Sequence, residues 1–309
     1  MKKVLLTTSA LAFAGSAFAA DVSGYVISAY KKADSKKSLY NETEVYFSGS
    51  KTASNGLTFG ATYTIGFSGS EASVQGKASK TEYTAPAAKG YVTSVTETAG
   101  SSSQFANVNA FVSGSFGKVA MGKHATATRA IGGTSLAVGT GIDGSVTAVV
   151  TRENTTKGVT YTSPKFNGVQ AAYTKELEEN GAKAWAINWS GKASGVGVAV
   201  AYGKHTAAGA GKVADTAWGV KVSKGAFAAS YVRGKEGANS NNKSTQIGVA
   251  YTAGKVSVGY SQEKVKGTAE QKNSVIQASY AVASGLKVFA ERQKSGDTKT
   301  TLIGTNISF

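Results

Sequence analysis

The 309-residue chain contains no cysteine, which excludes a disulfide-stapled scaffold and any thiolate metal site. Proline is nearly as scarce, with Pro86 and Pro164 the only two. Because proline lacks the N–H that a strand ladder needs, this avoidance fits a chain built mostly of sheet. No stretch approaches the roughly 18 consecutive apolar residues of a membrane-crossing helix, which leaves an exported soluble chain or a membrane β-barrel. Histidine occurs twice, at His124 and His205, in no HExxH or closely spaced metal pattern. Ser48-Gly49-Ser50-Lys51 matches S-x-x-K without its companion motifs, and no GxxxxGK[ST] phosphate loop is present. Hydrolytic chemistry therefore lacks both a nucleophile with its base and a means of activating water, and no enzyme is expected.

Acids are also in deficit, 18 against 34 Lys and Arg. Residues 1–20, MKKVLLTTSALAFAGSAFAA, set Lys2 and Lys3 before an apolar stretch that closes on Ala17-Phe18-Ala19, the form of a removable secretory signal. Thr7, Thr8, Ser9, Gly15 and Ser16 interrupt it too often for an anchoring helix. The expected division is a signal over 1–20 and one domain over 21–309, starting near Ala20 or Asp21. Without Lys2 and Lys3 the 34 basic residues become 32, and against 18 acids the net charge is +14. Such a surplus calls for nucleic acid, anionic lipid headgroups or an anionic solute. Nucleic acid is the weakest of the three for an exported chain whose densest basic clusters are Lys31-Lys32 and Lys36-Lys37, so no such partner is expected.

What is abundant is period-two alternation, which sorts side chains to opposite faces of a strand. Leu57, Phe59, Ala61, Tyr63, Ile65 and Phe67 share one face, and Thr58, Gly60, Thr62, Thr64 and Gly66 share the other. Such a segment exceeds the usual strand of about 5 or 6 residues and matches the 9 to 11 or so of a tilted membrane strand. The pattern recurs through Val196–Tyr202, Trp218–Val222, Ile247–Tyr251 and Val256–Tyr260. Segments of this kind, from 21–31 to 299–309, predict about sixteen strands, an even number as expected of a closed antiparallel transmembrane barrel. Short turns alternate with longer, more charged connectors near 32–40, 68–103, 125–156, 176–182, 205–215, 236–243, 264–271 and 295–298, the expected periplasmic and external sides. Tyr173, Tyr202, Tyr231 and Tyr260 fall towards the external ends of rising strands, and Tyr161, Trp189, Tyr251 and Tyr280 towards the periplasmic ends of descending ones, as in two interfacial girdles.

The signal, the strand rhythm, the long connector after the fifth strand and the terminal Thr305-Asn306-Ile307-Ser308-Phe309 resemble the Gram-negative general-diffusion porins, particularly the short-turned alphaproteobacterial type. The resemblance covers essentially all of 21–309. It implies an all-β transmembrane barrel of about 16 strands, a third external loop folded inward, a homotrimer, residence in the bacterial outer membrane among lipid and lipopolysaccharide, and passive diffusion of small hydrophilic solutes and ions without a cofactor. It also implies that Phe309 is part of the signal read by the outer-membrane assembly machinery.

The connector 125–156 stands where such a constriction loop would be, with Arg129, Asp143, Arg152 and Glu153 in it and His124 at its foot. Alternation turns Lys221, Lys287 and Glu291 inward, since Lys or Arg facing lipid at mid-membrane costs about 2 to 4 kcal/mol. The surplus charge and the acid-poor loop predict an anion-favouring pore. A solute-specific channel would show inward aromatics or dense polar pairs, and the exposed loops would also suit an adhesin or phage receptor. The acidic run Glu176, Glu178, Glu179 is a candidate loop Ca²⁺ site.

Overall fold

The computed structural model describes residues 19–69, 79–81, 95–97, 105–132, 134, 136, 138, 155–209, 214–235, 237, 243–267 and 270–309. Chain order gives β1 (Ala19–Ala33), β2 (Lys36–Thr52), β3 (Thr58–Gly69), β4 (Ser79–Thr81), β5 (Val95–Glu97), β6 (Phe105–Gly114) and β7 (Gly117–Ala125). A single turn of helix, α1 (Ala127–Ile131), follows, then β8 (Thr155–Thr162), β9 (Val169–Glu176), β10 (Lys183–Ala193), β11 (Val196–Thr206) and β12 (Ala214–Lys224). The chain ends with β13 (Phe227–Lys235), β14 (Lys243–Ala253), β15 (Val256–Lys266), β16 (Gln271–Ala283), β17 (Leu286–Ser295) and β18 (Thr298–Ser308). All except β4 and β5, which pair with each other, form one closed antiparallel barrel in which each strand lies beside its sequence neighbours and β1 closes on β18. Closure satisfies every ladder and leaves no edge, the condition for spanning lipid with strands.

One parity on each strand is outward and apolar, the other inward. On β10, Trp185, Ile187 and Trp189 are exposed, whereas Ala184 and Ala186 are buried. The proposed face of 57–67 follows this rule: Phe59 and Tyr63 point out, and Thr62 and Thr64 point in towards Asn109 and Tyr46 respectively. Outward aromatics meet across strands, Trp185 with Tyr202 at 5.3 Å and Trp218 with Tyr231 at 5.4 Å between ring centroids. Offset contacts of this kind suit amphipathic rings at a membrane interface.

Connectors alternate as predicted, although several boundaries move. The periplasmic hairpins after β12 and β14 turn at Gly225 and Gly254, both at φ +56°, where a side chain would be strained. The connector expected over 32–40 shrinks to Asp34-Ser35, because β1 and β2 continue pairing through Lys32↔Lys37 to Ala33↔Lys36. Above the membrane no lipid enforces apolar alternation, so polar residues extend the ladder without showing it. Glu176 likewise ends β9 instead of opening the next connector, and the 125–156 connector begins with α1, which its weak periodicity did not announce. Of the 68–103 segment, only the ends of β3 and the β4–β5 pair lie within the described residues.

Candidate pore and its inward loop

After β7 the chain turns into the barrel. The helix α1 lays Ala127 and Ile131 against Ala172, Ala184 and Ala186 of β9 and β10, a patch of small residues that lets backbone approach the wall. Both of its ends are held by lumen side chains: Thr174 Oγ1 accepts the Ala127 N–H at 2.7 Å, and Asn188 Nδ2 donates to Ile131 O at 2.8 Å. These bonds satisfy helix-terminal groups that a one-turn helix cannot satisfy itself. Behind Thr174 the chain of contacts continues, Thr174 Oγ1 to Thr160 Oγ1 at 2.6 Å and Thr160 Oγ1 to His124 Nε2 at 2.8 Å, while His124 Nδ1 lies 2.9 Å from Gly122 O. His124, expected at the constriction, lies on the inner wall at 6 % exposed, its Nε2 joined to the threonine pair that holds the root of the loop and its Nδ1 to a carbonyl of its own strand.

Beyond α1 the described residues of the loop lie along the wall. Thr134, Leu136 and Val138 sit over Gly219, Gly248 and Gly259, and Leu136 N–H donates to Ser230 Oγ at 3.0 Å. A Cβ on Gly219 would stand 2.0 Å from Thr134 Oγ1, one on Gly248 3.0 Å from Leu136 Cβ, and one on Gly259 2.9 Å from Val138 Cγ2. These three glycines of β12, β14 and β15 are therefore the seat of the loop. The small inward residues that look like a featureless polar lining in the sequence are a track cut for a particular segment.

Arg129 lies in the last turn of α1, exposed. Asp143, Arg152 and Glu153 lie outside the described residues. Lys221, Lys287 and Glu291 all occupy inward register positions: Lys221 beside Ala199 and Ser230, Lys287 beside Asn306, Glu291 beside Leu302 and Gln277. Glu291 is 3 % exposed and accepts from Gln277 Nε2 at 2.7 Å and from Gln293 Nε2. Glu176 faces inward and takes the Ala182 N–H at 2.8 Å, and Glu178 and Glu179 are exposed beyond it. No group of three metal-capable side chains is gathered among the described residues.

Sequence reasoning missed the acids of β2. Glu42 and Glu44 face the lumen in the same parity as Tyr40 and Tyr46. Tyr25 and Tyr40 each donate to Glu42 at 2.5 Å, one to each carboxylate oxygen, and Tyr46 donates to Glu44. The signal that could have revealed them was the inverted parity of Tyr40-Asn41-Glu42-Thr43-Glu44, where lining residues are the large ones. Arg129 on the loop and Glu42 with Glu44 on β2 thus set opposite charges on different walls of the passage.

A lumen lined by polar residues, narrowed by a seated loop and wrapped in an apolar outer face is a water-filled passage through a membrane. A porin variant from Rh. blastica carrying three substitutions has the same fold, with a TM-score of 0.68 and 15% sequence identity over 94% of this chain and 100% of that one. A loop-deletion mutant of OmpT, an outer membrane protein of Vibrio cholerae, aligns with a TM-score of 0.65 at 13% identity over 95% of this chain and 100% of its own. No curated protein matches the chain. The family model described as Gram-negative porin matches residues 6–300. The chain belongs to the Gram-negative porin family, the bacterial outer-membrane channels for passive diffusion.

Proposed function

We propose that this porin favours anions modestly and that most of its basic surplus serves the membrane instead of the pore. The observation that carries the first part is a collar: Lys118, Lys192, Lys221 and Lys287 all point inward within the last few residues of the periplasmic strand ends. Four cations round one mouth raise the local concentration of anions there. Glu42, Glu44 and Glu291 lie deeper and oppose the collar, which keeps the preference modest. In a planar bilayer under a KCl gradient, the reversal potential is expected to show chloride more permeant than potassium. The opposite sign would overturn the reading. In the same recordings, closure in three equal steps is the expected signature of a homotrimer.

The membrane part rests on the external rim. Lys235, Lys243 and Lys266 stand in one outward row across β13, β14 and β15, Lys294 faces Lys299, and Lys175 faces Lys183. Like charges directly opposite on a sheet destabilise it unless anions intervene. The phosphates of lipopolysaccharide in the outer leaflet supply such anions. Lys264 is already served by Glu270 at 2.6 Å, and the hydrogen bond from its ammonium holds the Glu270 carboxyl below its usual range. Exchanging Lys243, Lys266, Lys294 and Lys299 for Gln should raise the Tm of the detergent-solubilised barrel and abolish the further rise on adding lipopolysaccharide. An undiminished lipopolysaccharide shift in that variant would count against the belt.

Phe309 closes the seam, exchanging backbone hydrogen bonds with Gly24 at 2.9 and 3.0 Å while its ring stays exposed. A ring that rests its tip over Gly24 and leaves most of its face exposed suits recognition by the assembly machinery. Phe309→Ala is expected to lower the amount of barrel in the outer membrane several-fold in cells while refolding into detergent proceeds nearly as before, as quantitative blotting and heat-modified gel migration would show.

A further inference from the structure

Besides the passage itself, the inner wall carries a recess of about 290 Å³ where β1 and β2 meet β16, β17 and β18. Its size is at the lower limit of small-molecule sites, about 300 Å³. Glu42, Ile27, Asn306 and Lys287 follow one another in a single row of paired positions across β2, β1, β18 and β17. Three strand spacings separate the carboxylate residue from the lysine, roughly 14 Å along the wall, and both side chains can reach inward from there. The next row towards the exterior holds Tyr40 and Phe289 at its two ends with Ala29 and Gly304 between them. Ile27, Ala29, Tyr40, Phe289 and Leu302 form a buried apolar cluster inside the barrel, with Tyr25 packed on it.

Inward apolar packing is unexpected in a lumen that needs only to stay wet, and here it adjoins one negative and one positive side chain. Glu42 is held in place by Tyr25 and Tyr40, yet each of its oxygens keeps a further lone pair for a donor. We infer that this recess is a solute subsite for a small zwitterion with an apolar body, the chemistry of an α-amino acid. The solute ammonium meets Glu42, its carboxylate meets Lys287 and Asn306, and its side chain rests on Ile27 and Phe289. Binding both charges at once distinguishes such a solute from a sugar or a simple ion of equal size, because each charge-assisted hydrogen bond is stronger than a neutral one. The subsite requires that the lumen conduct, as the family does, and does not depend on the anion preference proposed above.

Single-channel recording tests it with L-leucine as probe and with isoamylamine and 4-methylpentanoate as its two half-molecules. On the wild-type channel leucine is expected to interrupt the current at concentrations roughly ten-fold below those needed for either half-molecule, a comparison that needs no variant. Glu42→Gln and Lys287→Gln should each raise the leucine concentration for half-block roughly ten-fold, measured against each variant's own open current, and Lys287→Arg should keep it near the wild-type value. Equal block by leucine and either half-molecule would overturn the proposal, as would a leucine block that Lys287→Gln leaves unchanged. Ion selectivity is read separately from the reversal potential, so failure of the subsite and failure of the anion preference are distinguishable.

Discussion

Replacing Gly219, Gly248 and Gly259 together with valine is expected to split one conductance level into several, with spontaneous closures. Each glycine has a loop residue in contact where the new side chain must go, and at Gly219 the approach is 2.0 Å from the first added carbon to Thr134 Oγ1. Overpacking a fitted site costs about 1–3 kcal/mol for each insertion. Against this the segment around Thr134, Leu136 and Val138 sets its side-chain contacts and the Leu136 hydrogen bond to Ser230, worth about 1 kcal/mol net. Three insertions exceed that, so the segment leaves its track. Its root stays in place, because α1 is fixed independently by Thr174 and Asn188. A loop tethered at its root and loose beyond it swings in the passage. Single-channel recordings of the triple variant check this, and an unaltered single level would mean that the seat does not position the loop. No ladder hydrogen bond of the barrel is removed, while the wall side chains Val232 and Ser230, 2.9 Å from the carbons added at Gly219 and Gly248, must shift as well.

The second large effect is electrostatic. Glu42→Gln with Glu44→Gln is expected to move the reversal potential strongly towards chloride. The two carboxylates are aligned on one strand and pinned by Tyr25, Tyr40 and Tyr46, so their field does not average away through side-chain motion. A unit charge at about 4 Å from a passing ion is worth about 1 kcal/mol even in bulk-like water. That is roughly a five-fold change in the occupancy of each ion, upward for the cation and downward for the anion, for each carboxylate so placed. Glutamine keeps the length and one acceptor oxygen, and the phenols can reorient to suit it. The measurement is the shift between wild type and variant in one salt gradient. A shift below two-fold in permeability ratio would place the selectivity elsewhere than at β2.

Much of the barrel could be read from the chain because lipid imposes a rule on every second residue. Leu57–Phe67 alternates cleanly since its outward face meets hydrocarbon, and the same constraint sorts Trp189, Tyr251 and Tyr280 to one interface. The rule weakens wherever lipid is absent, and there the reading fails. Lys31-Lys32 and Lys36-Lys37 continue their ladder above the membrane and were expected to be loop. Nor does alternation grade the inward face: it turns Lys221, Lys287 and Glu291 into the lumen, but it cannot say that Gly219, Gly248 and Gly259 are a track while other small residues are lining.

Local sequence by itself determined the strand count, the facing of most side chains and the existence of a long connector at the constriction position. Those follow from a two-residue period and a membrane of fixed thickness, both expressed within a dozen neighbouring residues. Only the tertiary structure decided that His124 bonds the threonine pair behind α1, that Glu42 and Glu44 are clamped by tyrosines on the lumen wall, and that Glu42 shares a row with Lys287. Closing β1 onto β18 brings residues from opposite ends of the chain into that row. Contacts across such separations depend on ladder register and loop seating, which are settled by the closed barrel as a whole.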